Sequence, residues 1–365
     1  MPDFPYRDGW LGGDAAYSVP LDAERSVWLF GDSFAATRPG DGAAEPEAAP
    51  ALRRSAAGLV FGNSIAISRC GRDGTWQIEY HFGAARPRGA PKAFFDPPFR
   101  PDGHFYWPLD AFLHDGALHV GLLEVSADWS LHGTALARVP NPRDPPERWH
   151  VEYVRMSEQP DLFPGFAMVV DEPHVYLFAS IVRGREPRRR VLTRLPLDAI
   201  AARVDAGASL ESAFATYSGG GHWTEGLSPG EAEILMDDSA TEMSVRFHPA
   251  IGHWVAIYSA LPPHGAGEIV YRTAPRLVGP WSAPETLYAI PRITHSDARF
   301  DPQALCYAAK EHAAFRAAGR GATPVVITYV CNSASAEALY ADLEIYRPIV
   351  LRDAFELRPP VSVDR

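Results

Sequence analysis

Along this chain apolar and polar positions alternate in short runs rich in Val, Ile, Tyr, Phe and Trp, and Gly or Pro closes nearly every run. A period of two bounded by turn residues predicts many short antiparallel strands. Two stretches depart from that period. Leu197-Asp-Ala-Ile-Ala-Ala-Arg-Val204 and the Ala-rich segment from Gln303 to Ala318 read as helices inserted into a β protein.

The strands come in a recurring unit: a strand opening on a polar residue, a tight turn with Asp, Gly or Pro, then an apolar strand ending small or polar. Five units can be traced. They begin at Asp14, Asp110, Phe166, Glu242 and Ser296, and their second strands include Val27-Trp-Leu-Phe-Gly-Asp32, Leu118-His-Val-Gly-Leu-Leu-Glu124 and Val325-Val-Ile-Thr-Tyr-Val-Cys331. Two further strand-like pieces follow most of them, which makes four strands per unit. The expected fold is a single all-β domain over residues 1–365, a five-bladed β-propeller of four-stranded antiparallel blades with short helical insertions. A pair of β-sandwiches is the alternative, but sandwich strands need not come in matched hairpins whose first strand starts polar.

With 46% apolar and 22% charged residues the chain has ample material for a core. A net charge of −11 opposes phosphate neutralisation and argues against a nucleic-acid partner. The start Met1-Pro-Asp-Phe-Pro-Tyr-Arg7 lacks the features of a signal peptide, and no apolar run is long enough to span a membrane. The expectation is therefore a cytoplasmic protein without a membrane partner, unless the sequence is a trimmed, exported form. Cys70, Cys306 and Cys331 show neither CxxC spacing nor a disulfide framework, so structural zinc is not expected.

In a propeller the first residue of each innermost strand and the far end of the second strand emerge on one face. That face should collect Asp14, Asp32 and Asn63 from the first blade, Trp107, Asp110 and Glu124 from the second, and Phe166 from the third. Glu242 comes from the fourth, and His295, Ser296 and Asn332 from the fifth. Carboxylates crowded in a partly desolvated funnel push their pKa values apart, so that one holds a proton while another stays ionised, as glycoside hydrolysis requires. Asp14, Asp32, Glu242 and Asp110 are the catalytic candidates. Asp14 is cast as base or nucleophile, Glu242 as general acid, Asp32 as water-positioning group or partner, and Asp110 as a tuner of pKa. Trp107 and Phe166 suit stacking on a sugar face, and the Asn63 amide suits sugar hydroxyls.

These motifs resemble the five-bladed propeller glycosidases, which include arabinanases, β-xylosidases and fructosidases. They are most similar to the endo-D-arabinanase family first described as a domain of unknown function. The matching pieces are Gly12-Gly-Asp-Ala-Ala-Tyr-Ser18, Trp28-Leu-Phe-Gly-Asp-Ser33, Gly62-Asn-Ser64, Trp107-Pro-Leu-Asp110, Glu242-Met-Ser-Val245 and Tyr271 to Trp281. The resemblance implies a furanoside hydrolase that draws two or three acidic residues from different blades. It implies no organic cofactor and no metal ligand set, and leaves room only for a calcium or sodium ion in the channel near His295.

The basic run Arg183-Gly-Arg-Glu-Pro-Arg-Arg-Arg190 should join the second and third strands of blade three at the funnel rim, where Arg188 could meet an anionic ligand group. No GxSxG is present, and Gly219-Gly-Gly221 lacks the spacing of a phosphate loop. The leading expectation is a glycoside hydrolase acting on furanosidic, arabinan-like glycans or glycosides. Two other classes fit the same funnel: carboxylate-mediated proton transfer on a small metabolite, and carbohydrate binding without catalysis.

Overall fold

Five antiparallel sheets follow one another along the chain, each built from consecutive strands and each a blade of a β-propeller. The structure, a computed structural model, describes residues 1–36, 54, 57–71, 73–184, 188–260, 268–315, 325–351 and 357. Blade one comprises β1 (Trp10–Pro20), β2 (Arg25–Ala35), β3 (Gly58–Val60), β4 (Ser64–Cys70) and β5 (Trp76–His81). Blade two comprises β6 (His104–His114), β7 (Ala117–Ser126), β8 (Leu131–Val139) and β9 (Glu152–Ser157). In blade three, β10 (Leu162–Asp171), β11 (His174–Ile181) and β12 (Arg189–Pro196) are extended by β13 (Ala215–Gly219) and β14 (His222–Glu225). Blade four holds β15 (Ser239–His248), β16 (His253–Ala260), β17 (Glu268–Ala274) and β18 (Glu285–Ala289). The described strands of blade five are β19 (Ala304–Glu311), β20 (Ile327–Ser333) and β21 (Ile349–Leu351).

Turn chemistry explains the hairpins. Asp115 and Gly116 both take positive φ, 48° and 75°, between β6 and β7, as the right-handed twist of a two-residue hairpin demands. Apolar clusters glue neighbouring blades face to face: Val27, Leu29 and Ile65 against Leu118 and Val120, for example, or Ile257 and Ile269 against Ile327 and Tyr329.

All five innermost strands carry a β-bulge. The register slips between Gly13 and Tyr17 in β1, Pro108 and Ala111 in β6, Pro164 and Ala167 in β10, Ser239 and Met243 in β15, and Tyr307 and Lys310 in β19. Extra residues bend a strand and re-aim its side chains. Several of them sit in left-handed backbone, Ala15 and Ala16 at 63° and Ala308 at 61°. The buried Lys310 ammonium donates to the carbonyls of both Ala15 and Ala308, and so pins the left-handed alanines of blades one and five together.

Among the described residues no strand of blade one pairs with a strand of blade five. Within them, side chains close the ring. Besides Lys310, the Tyr307 hydroxyl donates to Asp14, Ser18 bonds His312 at 2.7 Å, and the buried Arg54 guanidinium donates to the carbonyls of Leu11, Leu339 and Asp342.

The structure corrects three expectations. The helix from Leu197 is present as α1 (Leu197–Ala206), ended by Gly207 at φ 62°. The segment from Gln303, however, is the innermost strand of blade five, because Ala308 to Glu311 are buried between blades and that burial overrides the local helix preference of an Ala-rich run. Only a single 3-10 turn, Ala313–Phe315, follows it, and residues 316–318 of the expected helix lie outside the described ones. Ser296 consequently opens no strand; it lies in an exposed loop before β19. A short helix not foreseen, α2 (Ala336–Ala341), is capped by the Ser335 side chain. Finally, Cys306 and Cys331 are cross-strand partners on β19 and β20 and form a disulfide, a pairing that their 25-residue separation conceals.

Candidate active site

The bulges converge on one cavity of about 810 Å³. It receives Asp14, Asp32, Trp107, Phe166, Arg188, Glu242, His295 and Asn332. Blades one to five all contribute to its wall.

Asp14 stands in the β1 bulge, and two glycines make its position possible. Gly12 has φ +132°, and a Cβ there would lie 2.5 Å from both the Arg54 guanidinium and the Tyr346 carbonyl. Gly31, opposite on β2, leaves the space that the Asp14 carboxylate occupies; a Cβ would collide with Asp14 Oδ1. The Tyr307 hydroxyl donates to Asp14 Oδ2 at 2.7 Å. Burial, then the charges of Asp32 and Glu242, raise the Asp14 carboxyl well above the ordinary aspartate range, against the opposing effects of Tyr307 and Lys310.

Asp32 is 5% exposed. Its Oδ1 accepts from the Gly62 N–H at 2.6 Å and from the Trp107 indole N–H at 3.0 Å, so the Gly-Asp-Ser and Gly-Asn-Ser motifs meet at this carboxylate. Burial raises it to about 6 despite both donors. Glu242, from the β15 bulge, lines the cavity with one buried carboxylate oxygen that has no hydrogen-bond partner among the described residues. A polar atom kept dry without a partner is costly unless a ligand or proton meets it. The Glu242 charge supports the protonated forms of Arg188 and Lys310, though burial dominates both and lowers Lys310 to about 8.

Three residues expected in the funnel have other work. Asp110 is buried outside the cavity wall; its two oxygens accept from the Ala111 and Met168 N–H groups, which braces blade two against blade three. Its charge still reaches Lys310. The Asn63 amide spends its capacity on backbone, donating to the carbonyls of Phe95 and Tyr106 and accepting from the Phe95 N–H, so it holds a loop and does not face a ligand. Glu124 is likewise enclosed by His104, Tyr106 and Arg155. Of the basic run, Arg183 pairs with Asp161 and Arg190 lies buried with its guanidinium 4.4 Å from the Phe166 ring centre, while residues 185–187 lie outside the described ones.

Sequence reasoning missed Tyr307 and Lys310, hidden in the segment read as helix, and Tyr346, which has no local signal. It also missed Trp129, a bulky aromatic inside a Ser-Ala-Asp-Trp-Ser turn, which was a readable sign. Among the described residues no group of three or more His, Cys, Asp or Glu side chains is disposed to hold a metal ion. His295 is exposed and packs on Phe300 with ring centres 4.2 Å apart.

Residues 4–353 match the family described as "Domain of unknown function (DUF5005)". A comparison with curated proteins finds no match. Among solved structures, the chain is similar to a protein from Bacteroides ovatus ATCC 8483 described as a "putative hydrolase", at 16% identity and a TM-score of 0.66, with 94% of this chain and 85% of that one covered. An endo-arabinase from Bacteroides thetaiotaomicron VPI-5482 superposes at 13% identity and a TM-score of 0.47, covering 96% of each chain. A xylan β-1,4-xylosidase from Bacillus halodurans C-125 does so at 12% and 0.47, covering 91% of this chain and 51% of that one. At such identities the likeness is one of fold.

Proposed function

The chain belongs to the DUF5005 family, and from that premise and the geometry of the cavity we propose that it is a glycoside hydrolase acting on furanosidic, arabinan-like glycans or glycosides. One observation carries the reading: Asp14, Asp32 and Glu242 share a cavity walled by aromatics, with burial and mutual repulsion raising the first strongly and burial raising the second to about 6. Cleavage of a glycosidic bond needs one carboxyl that holds a proton at working pH and another that is ionised. The furanosidic class rests on the resemblance of the Gly-Gly-Asp, Gly-Asp-Ser and Gly-Asn-Ser motifs to the endo-D-arabinanase family, and these motifs place Asp14 and Asp32 here.

The electrostatics favour a casting opposite to the one expected from sequence. Burial and the neighbouring charges raise the Asp14 carboxyl well above the ordinary aspartate range, which suits it to act as general acid toward the leaving oxygen. Glu242, from a bulge on another blade, then serves as base or nucleophile. Asp32, held by Gly62 and Trp107, orients water or substrate, and Arg188 and Asn332 bind hydroxyl or anionic groups of the sugar. The test is product analysis with furanosidic polysaccharides and aryl furanosides on the wild type, Asp14→Asn and Glu242→Gln. Each variant should fold normally and lose on the order of 10²–10⁴ in turnover, with Asp14→Asn sparing activated aryl leaving groups. Near-wild-type rates in both variants on a confirmed substrate would overturn the proposal.

A further inference from the structure

Beyond the carboxylates, one feature of the rim stays unexplained by cleavage of a single bond. Trp129 stands in the turn between β7 and β8 with 56% of its surface exposed and φ +66°. Left-handed backbone is unfavourable for so large a side chain. The turn nevertheless enforces it: the Trp129 N–H donates to the Ser126 carbonyl at 2.8 Å, while the Asp128 carboxylate accepts from the Ser130 N–H and hydroxyl and from the Ser126 hydroxyl. Its indole stacks on Trp107, with ring centres 5.7 Å apart and planes 28° from parallel. Phe105 lies 5.9 Å from Trp129 and 5.8 Å from Trp107, and the half-exposed Phe61 lies 5.6 Å beyond Phe105.

This row has a fixed inner end and an open outer one. Trp107 is tied by its N–H to Asp32, inside the site. Trp129 is a wall shared by the main cavity and a second one of about 360 Å³, which Phe105 and Phe61 also line. Aromatic faces held at an apolar-to-wet boundary stack on the apolar faces of sugar rings.

We propose that Trp107, Trp129, Phe105 and Phe61 form a ramp for successive sugar residues, so that the substrate is a glycan chain running from the carboxylates over the rim into the second cavity. The inference rests on the glycosidase reading for its inner end, yet it concerns binding and can be measured without turnover. In an Asp14→Asn/Glu242→Gln background, gel mobility is followed in matrices containing arabinan, xylan or galactan. The parent double variant should be retarded in at least one matrix, and adding Trp129→Ala with Phe105→Ala should weaken that retardation at least tenfold in apparent affinity. Trp129→Gly guards against a folding artefact, because it removes the ring while relieving the left-handed backbone; it should raise or keep the melting temperature and still weaken binding. Retardation that is insensitive to these changes, or no retardation of the parent in any matrix, overturns the ramp. Turnover of aryl furanosides by the wild-type chain with no glycan retardation would leave the hydrolase standing and the ramp fallen. Aromatic-dependent retardation without hydrolysis of any substrate would do the reverse.

Discussion

Replacing Asp32 by Asn isolates what a buried carboxylate costs this fold. The carboxyl goes from 3.8, the ordinary aspartate value, to about 6 in the folded chain, with burial the dominant cause. At about 1.4 kcal/mol per pH unit, the native state is destabilised by about 3 kcal/mol wherever the group must be ionised. The sign follows from the raised pKa. Below pH 3.8 both states carry the proton and no penalty exists; between 3.8 and 6 the unfolded chain ionises first, so stability falls as pH rises; above 6 the full penalty remains. Asn fits the same cradle, because both Gly62 and Trp107 donate to Oδ1, which an amide oxygen can replace. Asp32→Asn should thus match the wild type near pH 3.5 and exceed it by about 3 kcal/mol at pH 7.5, with the acid-base balance of the site lost. Urea unfolding across that pH range, with ΔG from linear extrapolation at constant m-value, provides the test. A difference that does not grow with pH, or a variant less stable than wild type at pH 7.5, would refute the reasoning.

Three further outcomes can be checked. Gly31→Ala should change stability by less than about 1 kcal/mol while costing roughly 10- to 100-fold in turnover, because the new Cβ displaces only the tip of the Asp14 side chain; wild-type steady-state rates would contradict it. Lys310→Met leaves the Ala15 and Ala308 carbonyls without their donor and removes a charge that lowers the Asp14 carboxyl, so unfolding should become easier by about 2–4 kcal/mol and the alkaline limb of the pH-rate profile should move upward. Thiol titration of the denatured, unreduced protein should find Cys70 alone, and reduction of Cys306–Cys331 should lower stability by about 3.5 kcal/mol for a loop of this length.

Much of the architecture was legible because hairpins announce themselves locally: period-two strands joined by a short turn with Asp, Gly or Pro recur in the first four blades. The same regularity points Asp14, Asp32 and Glu242 into one hollow. Asp110 and Asn63 look like site residues for the same reason, and what removes them is tertiary. The N–H of Met168 from the next blade and the backbone of Phe95 and Tyr106 consume their polar atoms, and no sequence window shows those partners. The fifth blade misleads in the opposite direction. Alanines in β19 favour a helix locally, but in the ring Ala308 and Ala309 are fully buried between blades and Ala308 takes left-handed backbone, which no helix offers. Lys310 was lost with them.

The closure of the ring by side chains sets an order of failure. A propeller whose first and last blades exchanged a strand would resist prying apart along a whole ladder of backbone hydrogen bonds, whereas here, among the described residues, Tyr307 and Lys310 reach across the joint at the very point where Asp14 resides. Heat, denaturant or mechanical load should open that joint first, because among the described residues no chain link joins blade five to blade one as it does each other pair of neighbours, although Trp28 with Phe315 and Phe34 with Tyr346 add apolar contact across it. Asp14 would lose its hydroxyl donor and its neighbouring ammonium in the same event. Loss of activity should therefore precede the spectroscopic signature of unfolding, so that the chemistry of the hollow acts as the earliest gauge of damage to the ring.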